Sequence, residues 1–227
     1  MSGDTSRTAD GADRRLVLAT RNAHKVTELR EILAEALDAA GLELVGLDEF
    51  PDLEDVVESG VTFADNALLK ARYAARATGL PALADDSGLA VDVLGGAPGV
   101  FSARWAGPLA EATGTDKDVA NNTLLLAQLA DVPEPHRGAG FVCAAALVLP
   151  GERAGESGTE IVREGTCRGV VGREPRGSNG FGYDPLLVRP DGRTLAEHTS
   201  AEKHEVSHRG EAFRALARDV TALLAPS

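Results

Sequence analysis

Two adjacent carboxylates, Asp85 and Asp86, follow the short apolar stretch Ala82-Leu83-Ala84 and precede Ser87-Gly88. Carboxylate oxygens at the end of a strand can hold Mg2+, and one of them can take a proton from water. The same residues also make an ordinary acidic turn, because Asp, Ser and Gly all favour turns. Glu58, in the acidic stretch 48–61, is a further candidate oxygen ligand, although alone it reads as a solvated charge. A second group, Thr20-Arg21-Asn22-Ala23-His24-Lys25, stands between an apolar run and a helical pattern. Backbone N–H groups and the positive end of a helix attract anions at such a junction, and Lys25 adds a full charge. It is not a P-loop, since GxxxxGK[ST] is absent. A capping Asn beside a first-turn lysine is the plain alternative.

A third segment, Gly177-Ser178-Asn179-Gly180-Phe181-Gly182-Tyr183-Asp184, puts two aromatics in a glycine loop. Phe181 or Tyr183 can stack on a base and Asp184 can accept hydrogen bonds. A flexible hairpin loop with incidental aromatics fits equally. The fourth segment, Lys203 to Arg209, contains His204-Glu205-Val206-Ser207-His208, which matches the zinc-peptidase pattern H-E-x-x-H. That chemistry needs both histidines on one helix face, a third ligand and an open position for water. Gly210, two residues past the motif, argues for a helix cut short. The competing reading has His208 and Arg209 presenting donors to a ligand while Lys203 meets phosphate.

These residues need elements to hold them. Leu16–Thr20 reads as a buried strand. Val26, Leu29, Ile32, Leu33, Ala36 and Leu37 recur at helical spacing up to Gly41. A second strand is expected over Leu42–Leu47. Thr62 with Asp65 predicts a cap for a helix that stops near Gly79. Gly95–Gly114 reads as loop, Asp116–Ala130 as helix, and Phe141–Leu149 and Thr166–Val171 as strands. Pro150–Thr159 reads as a hairpin excursion and Gly172–Pro185 as a glycine-rich loop. The last helix is expected over Glu211–Leu224. Alternating strands and helices, then clustered strands, predict an α/β or α+β fold around one mixed sheet flanked by helices.

Composition narrows the chemistry. The chain has 227 residues, 43% of them apolar, enough for one larger domain with a sizeable core. The domain is expected over residues 15–227, with 1–14 a disordered tail that lacks the features of a signal peptide. No run of about 18 apolar residues points to a membrane span. With only two cysteines, Cys143 and Cys167, a disulfide framework is not expected and a reducing cytoplasm fits. A net charge of −12 disfavours nucleic acid and anionic membrane as partners. A small anionic substrate then requires a local gathering of Lys and Arg, with Lys25, Lys70 and Lys203 as candidates from separate segments.

Taken together, the segments resemble the inosine triphosphate pyrophosphatases, also called XTP/dITP diphosphatases. The resemblance runs from about Leu16 to Leu216. It is carried by Ala19–Lys25, Thr62–Ala67 with Lys70, Ala84–Asp92 leading into Leu94–Gly99, Phe181–Pro185 and Ser207–Gly210. It implies two lobes with a nucleotide cleft between them, a homodimer, and Mg2+ as cofactor. It implies that Thr20, Arg21, Asn22, Ala23, His24, Lys25 and Lys70 hold phosphates. Asp86 would be the catalytic carboxylate and a metal ligand, with Glu58 and Asp85 close to the metal, and Ser87 would touch the substrate. Phe181, Gly182, Tyr183, Asp184, Lys203, His208 and Arg209 would hold base and phosphate. The expected reaction is hydrolysis of ITP, dITP and XTP to monophosphate and pyrophosphate. Two departures stand out: Arg21 where many members have Gly, and an insertion around Ala154–Thr159.

Overall fold

The computed structural model describes residues 14–151 and 157–226. Residues 1–13 of the expected tail and residues 152–156 of the expected hairpin excursion lie outside the described residues. Strand β1 (Arg15–Leu18) leads into helices α1 (Ala23–Ile32) and α2 (Ala34–Ala40). The single helix expected up to Leu37 is thus two, with a break at Leu33, and it closes at Gly41 as expected. Strand β2 (Glu43–Gly46) follows, then α3 (Phe63–Thr78). The Thr62 hydroxyl accepts from the Asp65 N–H, and the Asp65 carboxylate accepts from the Thr62 N–H, which completes a capping box. Next come β3 (Ala82–Val91), α4 (Leu109–Thr113), α5 (Lys117–Gln128), β4 (Gly138–Pro150), β5 (Ser157–Val171), β6 (Leu187–Val188), α6 (Ser200–Val206) and α7 (His208–Leu224). The stretch 95–114, read as loop, contains α4 and a 3-10 turn at Gly99–Arg104.

The six strands form one mixed sheet in the order β2-β1-β3-β4-β5-β6, flanked by helices. The pairs around β1 are parallel, and those from β3 onward are antiparallel. Alternation along each strand sorts the core into two faces. Leu16, Leu18, Leu83 and Cys143 pack against α1, α2 and α7, while Val17, Ala82, Ala84 and Ala144 pack against α3. A third cluster, built on Leu89, Val91, Leu125 and Tyr183, supports the far half of β3 and β4.

Two features of this sheet create a place for chemistry. First, β1 has β2 on one side and β3 on the other, so successive connections leave it in opposite directions. Open α/β sheets have a crevice beyond the strand ends at such a reversal. Second, β1 pairs with β3 only as far as Leu18 opposite Leu83. Strand β3 runs on past it, because β4 pairs with every β3 residue from Ala82 to Val91. Asp85 and Asp86 therefore lie inside a long strand. The sequence places them in a turn at a strand's end, but the end they face is that of β1.

Candidate functional site

The alternation of β3 sends the two carboxylates to opposite faces. Asp85 is buried on the α1–α7 face, where Lys25 Nζ stands 2.5 Å and Arg209 Nε 3.3 Å from its oxygens. Burial pushes this carboxyl up, and the Lys25 and Arg209 charges more than reverse the effect, holding it well below the ordinary range. Asp86 points to the α3 face. Asn66, fully buried, donates to Asp86 Oδ2 at 3.0 Å, and Lys70 Nζ lies 3.4 Å from Oδ1. Lys70 is shared with Glu58 at 2.7 Å. Burial and the nearby Glu58 charge raise the Asp86 carboxyl above its usual value, against the opposing pull of Lys70 and Asn66. For Lys70 itself, burial is outweighed by the Asp86 and Glu58 carboxylates, which hold its ammonium charged.

The β1–α1 junction forms as the sequence predicts. Thr20 Oγ1 accepts from the Asn22 N–H at 3.2 Å, and Asn22 Oδ1 accepts from the Lys25 N–H at 3.3 Å. Ala23 opens α1, and the His24 side chain lies outside the described residues. Arg21 lines the same cavity as Lys25, with part of its guanidinium committed elsewhere. Its guanidinium donates to the carbonyls of Leu47 and Leu53 and pairs with Asp55 at 3.3 Å, so it straps down the acidic stretch that carries Glu58. Thr20, Lys25, Glu58, Lys70 and Asp85 line one cavity of about 400 Å3.

A second cavity, of about 340 Å3, lies across the Asp85–Arg209 pair. Ser87, Phe181, Gly182, Asp184, His208 and Arg209 are among its lining residues. The His208 ring stacks on Phe141 with centroids 5.1 Å apart, and its Nδ1 has no hydrogen-bond partner. Burial, reinforced by the Arg209 charge, lowers its pKa to about 3, so this imidazole is neutral. Phe181 is 70% exposed, and Lys203 Nζ stands 6.0 Å from its ring centroid. Lys203 also pairs with Asp184 at 2.7 Å, so it belongs to this side and does not share the cavity of Lys25 and Lys70. Tyr183 is buried in the third cluster and donates its hydroxyl to the Ser102 carbonyl at 3.0 Å, so its phenol is a structural pin and not an exposed stacking surface.

Two sequence readings are corrected at the start of α7. Gly210, read as a helix breaker, is the third residue of that helix, and its N–H donates to the capping Ser207 hydroxyl at 2.9 Å. The H-E-x-x-H match fails at the same point. His204 belongs to α6 and His208 begins α7, with extended Ser207 between them. Among the described residues, no three His, Cys, Asp or Glu side chains form a metal-binding group. Sequence reasoning also passed over residues that shape the site. Asn66 was read only as part of a helix motif, and Glu28, which pairs with Arg209 at 3.4 Å, carried no signal beyond its place on α1.

The Ham1 family model matches residues 16–219 of the chain. The dITP/XTP pyrophosphatase of Streptomyces avermitilis is 60% identical, over 92% of this chain and 98% of the relative. That of Frankia alni is also 60% identical, over 89% and 95%. Among solved structures, a HAM1 protein from Coxiella burnetii superposes with a TM-score of 0.79 at 39% identity, covering 92% of this chain and 98% of the other. The nucleoside-triphosphatase / dITP/XTP pyrophosphatase from Mycobacterium abscessus gives 0.71 at 48% identity, covering 89% and 98%.

Proposed function

The chain belongs to the Ham1 family, and from that premise we propose that it hydrolyses non-standard purine nucleoside triphosphates to the monophosphate and pyrophosphate. The observation that carries the reading is a pair of cavities that each take lining residues from β3. One holds carboxylates and lysines suited to a metal-bound triphosphate, and the other holds a neutral histidine and an exposed aromatic suited to a base.

The donor set fits a hard divalent cation. Glu58 and Asp86 already converge on one cationic centre, the Lys70 ammonium, and both offer oxygen. Two carboxylates are also what Mg2+ commonly takes from a protein, with phosphate and water supplying the rest. We therefore assign Glu58 and Asp86 as the metal-holding residues; Asp85 lines the cavity beside Glu58 but is committed to Lys25 and Arg209. Bound there, Mg2+ would neutralise phosphate charge and lower the pKa of a coordinated water.

The chain's own residues supply the rest. Asp86 accepts the proton of the attacking water. Asn66 holds one oxygen of Asp86 and leaves the other to the Lys70 side. Lys25 and Lys70 offer their remaining ammonium donors to phosphate oxygens, and the N-terminus of α1 adds backbone N–H groups. Phe181 stacks on the purine. Arg209 commits Nε to Asp85 and Nη1 to Glu28, and a guanidinium has five N–H donors, so donors remain for a 6-oxo group. Adenine's 6-amino group presents a donor to them and leaves buried groups unpaired. A homodimer in the cytoplasm completes the proposal; both thiols are free and buried, which suits a reducing compartment.

Pyrophosphate release from ITP, dITP, XTP, GTP and ATP under one Mg2+ concentration tests this. We expect kcat/KM for ITP and XTP to exceed that for ATP by at least about tenfold, within what hydrogen-bond mismatch supplies. Chelation should abolish turnover and Mg2+ should restore it. Binding without turnover on any nucleotide would make the protein a nucleotide sensor. Equal efficiency on ATP and ITP would defeat the base selectivity alone.

A further inference from the structure

Helix α5 grips the glycine loop at a single residue. Asp118 Oδ2 accepts the Gly182 N–H at 2.7 Å, and Asn122 Nδ2 donates to the Gly182 carbonyl at 3.0 Å. Asp118 and Asn122 lie four residues apart, so both face the same way from consecutive turns. Gly182 has φ +60, and nothing stands within 4 Å of where its Cβ would be. Its lack of a side chain therefore serves the left-handed backbone and not a crowded contact. On the preceding residue, the Phe181 N–H donates to Asp184 Oδ2 at 3.0 Å. The backbone is thus held on both sides of the Phe181 ring, while the ring itself is 70% exposed at the cavity it shares with Asp118.

We propose that Asp118 and Asn122 are positioning residues for the nucleobase, acting through Gly182 to hold the Phe181 ring as a preformed stacking platform. The inference rests on the reading of the chain as a purine nucleoside triphosphate pyrophosphatase. An exposed ring on a loose backbone must be ordered when the ligand binds, and that ordering weakens binding. An anchored backbone removes the cost before the nucleotide arrives. The effect belongs to the base alone. It should leave untouched both the proton transfer at Asp86 and the grip on a bare triphosphate.

The test uses the full chain with Mg2+, comparing wild type, Asp118→Ala and Asp118→Asn. Asparagine keeps an oxygen acceptor for the Gly182 N–H; alanine does not. Asp118→Ala should raise KM for ITP by about tenfold, the worth of one lost charge-assisted hydrogen bond. Its kcat should stay within about twofold of wild type, a change too small to mark lost transition-state stabilisation. The inhibition constant of inorganic tripolyphosphate, which has no base, should not change. Asp118→Asn should recover most of the lost KM. An unchanged KM in Asp118→Ala overturns the proposal, as does an equal weakening of tripolyphosphate. Wild-type protein without ITP turnover would overturn the underlying reading instead. Calorimetric ITP binding then carries the comparison, and equal affinity in wild type and Asp118→Ala overturns the clamp.

Discussion

Asp85 and Asp86 are adjacent in the chain, yet the period of two along β3 gives them different surroundings and different chemistry. Asp85 meets two cations and is kept deprotonated; Asp86 shares one ammonium with Glu58 and has its carboxyl raised by burial. Their neutral variants should fail in different ways. Asp86→Asn should lose at least about 10²-fold in turnover, the lower end of general-base effects, while melting close to wild type. Asp85→Asn leaves Lys25 and Arg209 without their buried partner, and breaking such a pair costs about 3–5 kcal/mol, so it should unfold at lower temperature. Kinetics and thermal unfolding on both proteins check this. An Asp86→Asn enzyme within about tenfold of wild type would remove Asp86 from the reaction. Both aspartates were legible as candidates from their type and order. Their division of labour was not, because it depends on β4 keeping β3 extended through Ser87.

Among the elements, α7 shows how a helix delivers site residues. Its first two residues are His208 and Arg209, and Ser207 caps it. Its first turns lie directly on β5: a Cβ at Gly165 would fall on the His208 carbonyl and the Ala212 amide. The Glu211 carboxylate accepts a hydrogen bond from the Thr166 N–H at 2.8 Å. Gly165→Ala should therefore push the helix start off the sheet, destabilising by about 1–3 kcal/mol as overpacking does. It should also raise KM for ITP, although the substitution lies on a strand outside both cavities. Denaturant unfolding together with steady-state kinetics measures the two effects, and a wild-type KM would separate α7 placement from base binding. The early half of β5 was missed in the sequence for a related reason. Charged Glu160, Arg163 and Glu164 flank Ile161 and Val162, and β6 pairs only with Val170 and Val171. An open strand edge tolerates that polarity, and it hides the strand from an apolar pattern search.

At the scale of the whole molecule, the site makes stability depend on pH. His208 in the folded protein titrates at about 3, against 6.5 when unfolded. Between those values the unfolded chain binds a proton that the folded chain does not, so stability rises with pH across this window. The contribution is complete above about pH 6.5 and is lost on acidification, at up to about 1.4 kcal/mol per pH unit. Asp85, held below its ordinary 3.8, adds loss of the same sign at still lower pH. Melting temperatures at pH 7, 6 and 5 should therefore fall in the wild type, and much less in His208→Gln. Equal slopes in the two proteins would show that His208 is protonated freely in the fold. The same neutral imidazole, with Nδ1 unpartnered, is ready to meet a base in the cavity it lines.

The sequence by itself determined the helix caps at Thr62 and Asn22 and the mixed α/β class, and it offered the candidate reacting groups. Each of these is local: a capping side chain bonds within three residues, and apolar period follows directly from residue order. What only the tertiary structure decided is who meets whom. Arg209 reaches Asp85 across 124 positions, and Arg21 reaches the acidic stretch while lining the cavity of Lys25. H-E-x-x-H is divided between two helices. These outcomes depend on β1 ending early beside a longer β3 and on α7 lying flat on β5. Strand lengths and close approaches of that kind are set by the partner segment, so no single stretch of residues carries them.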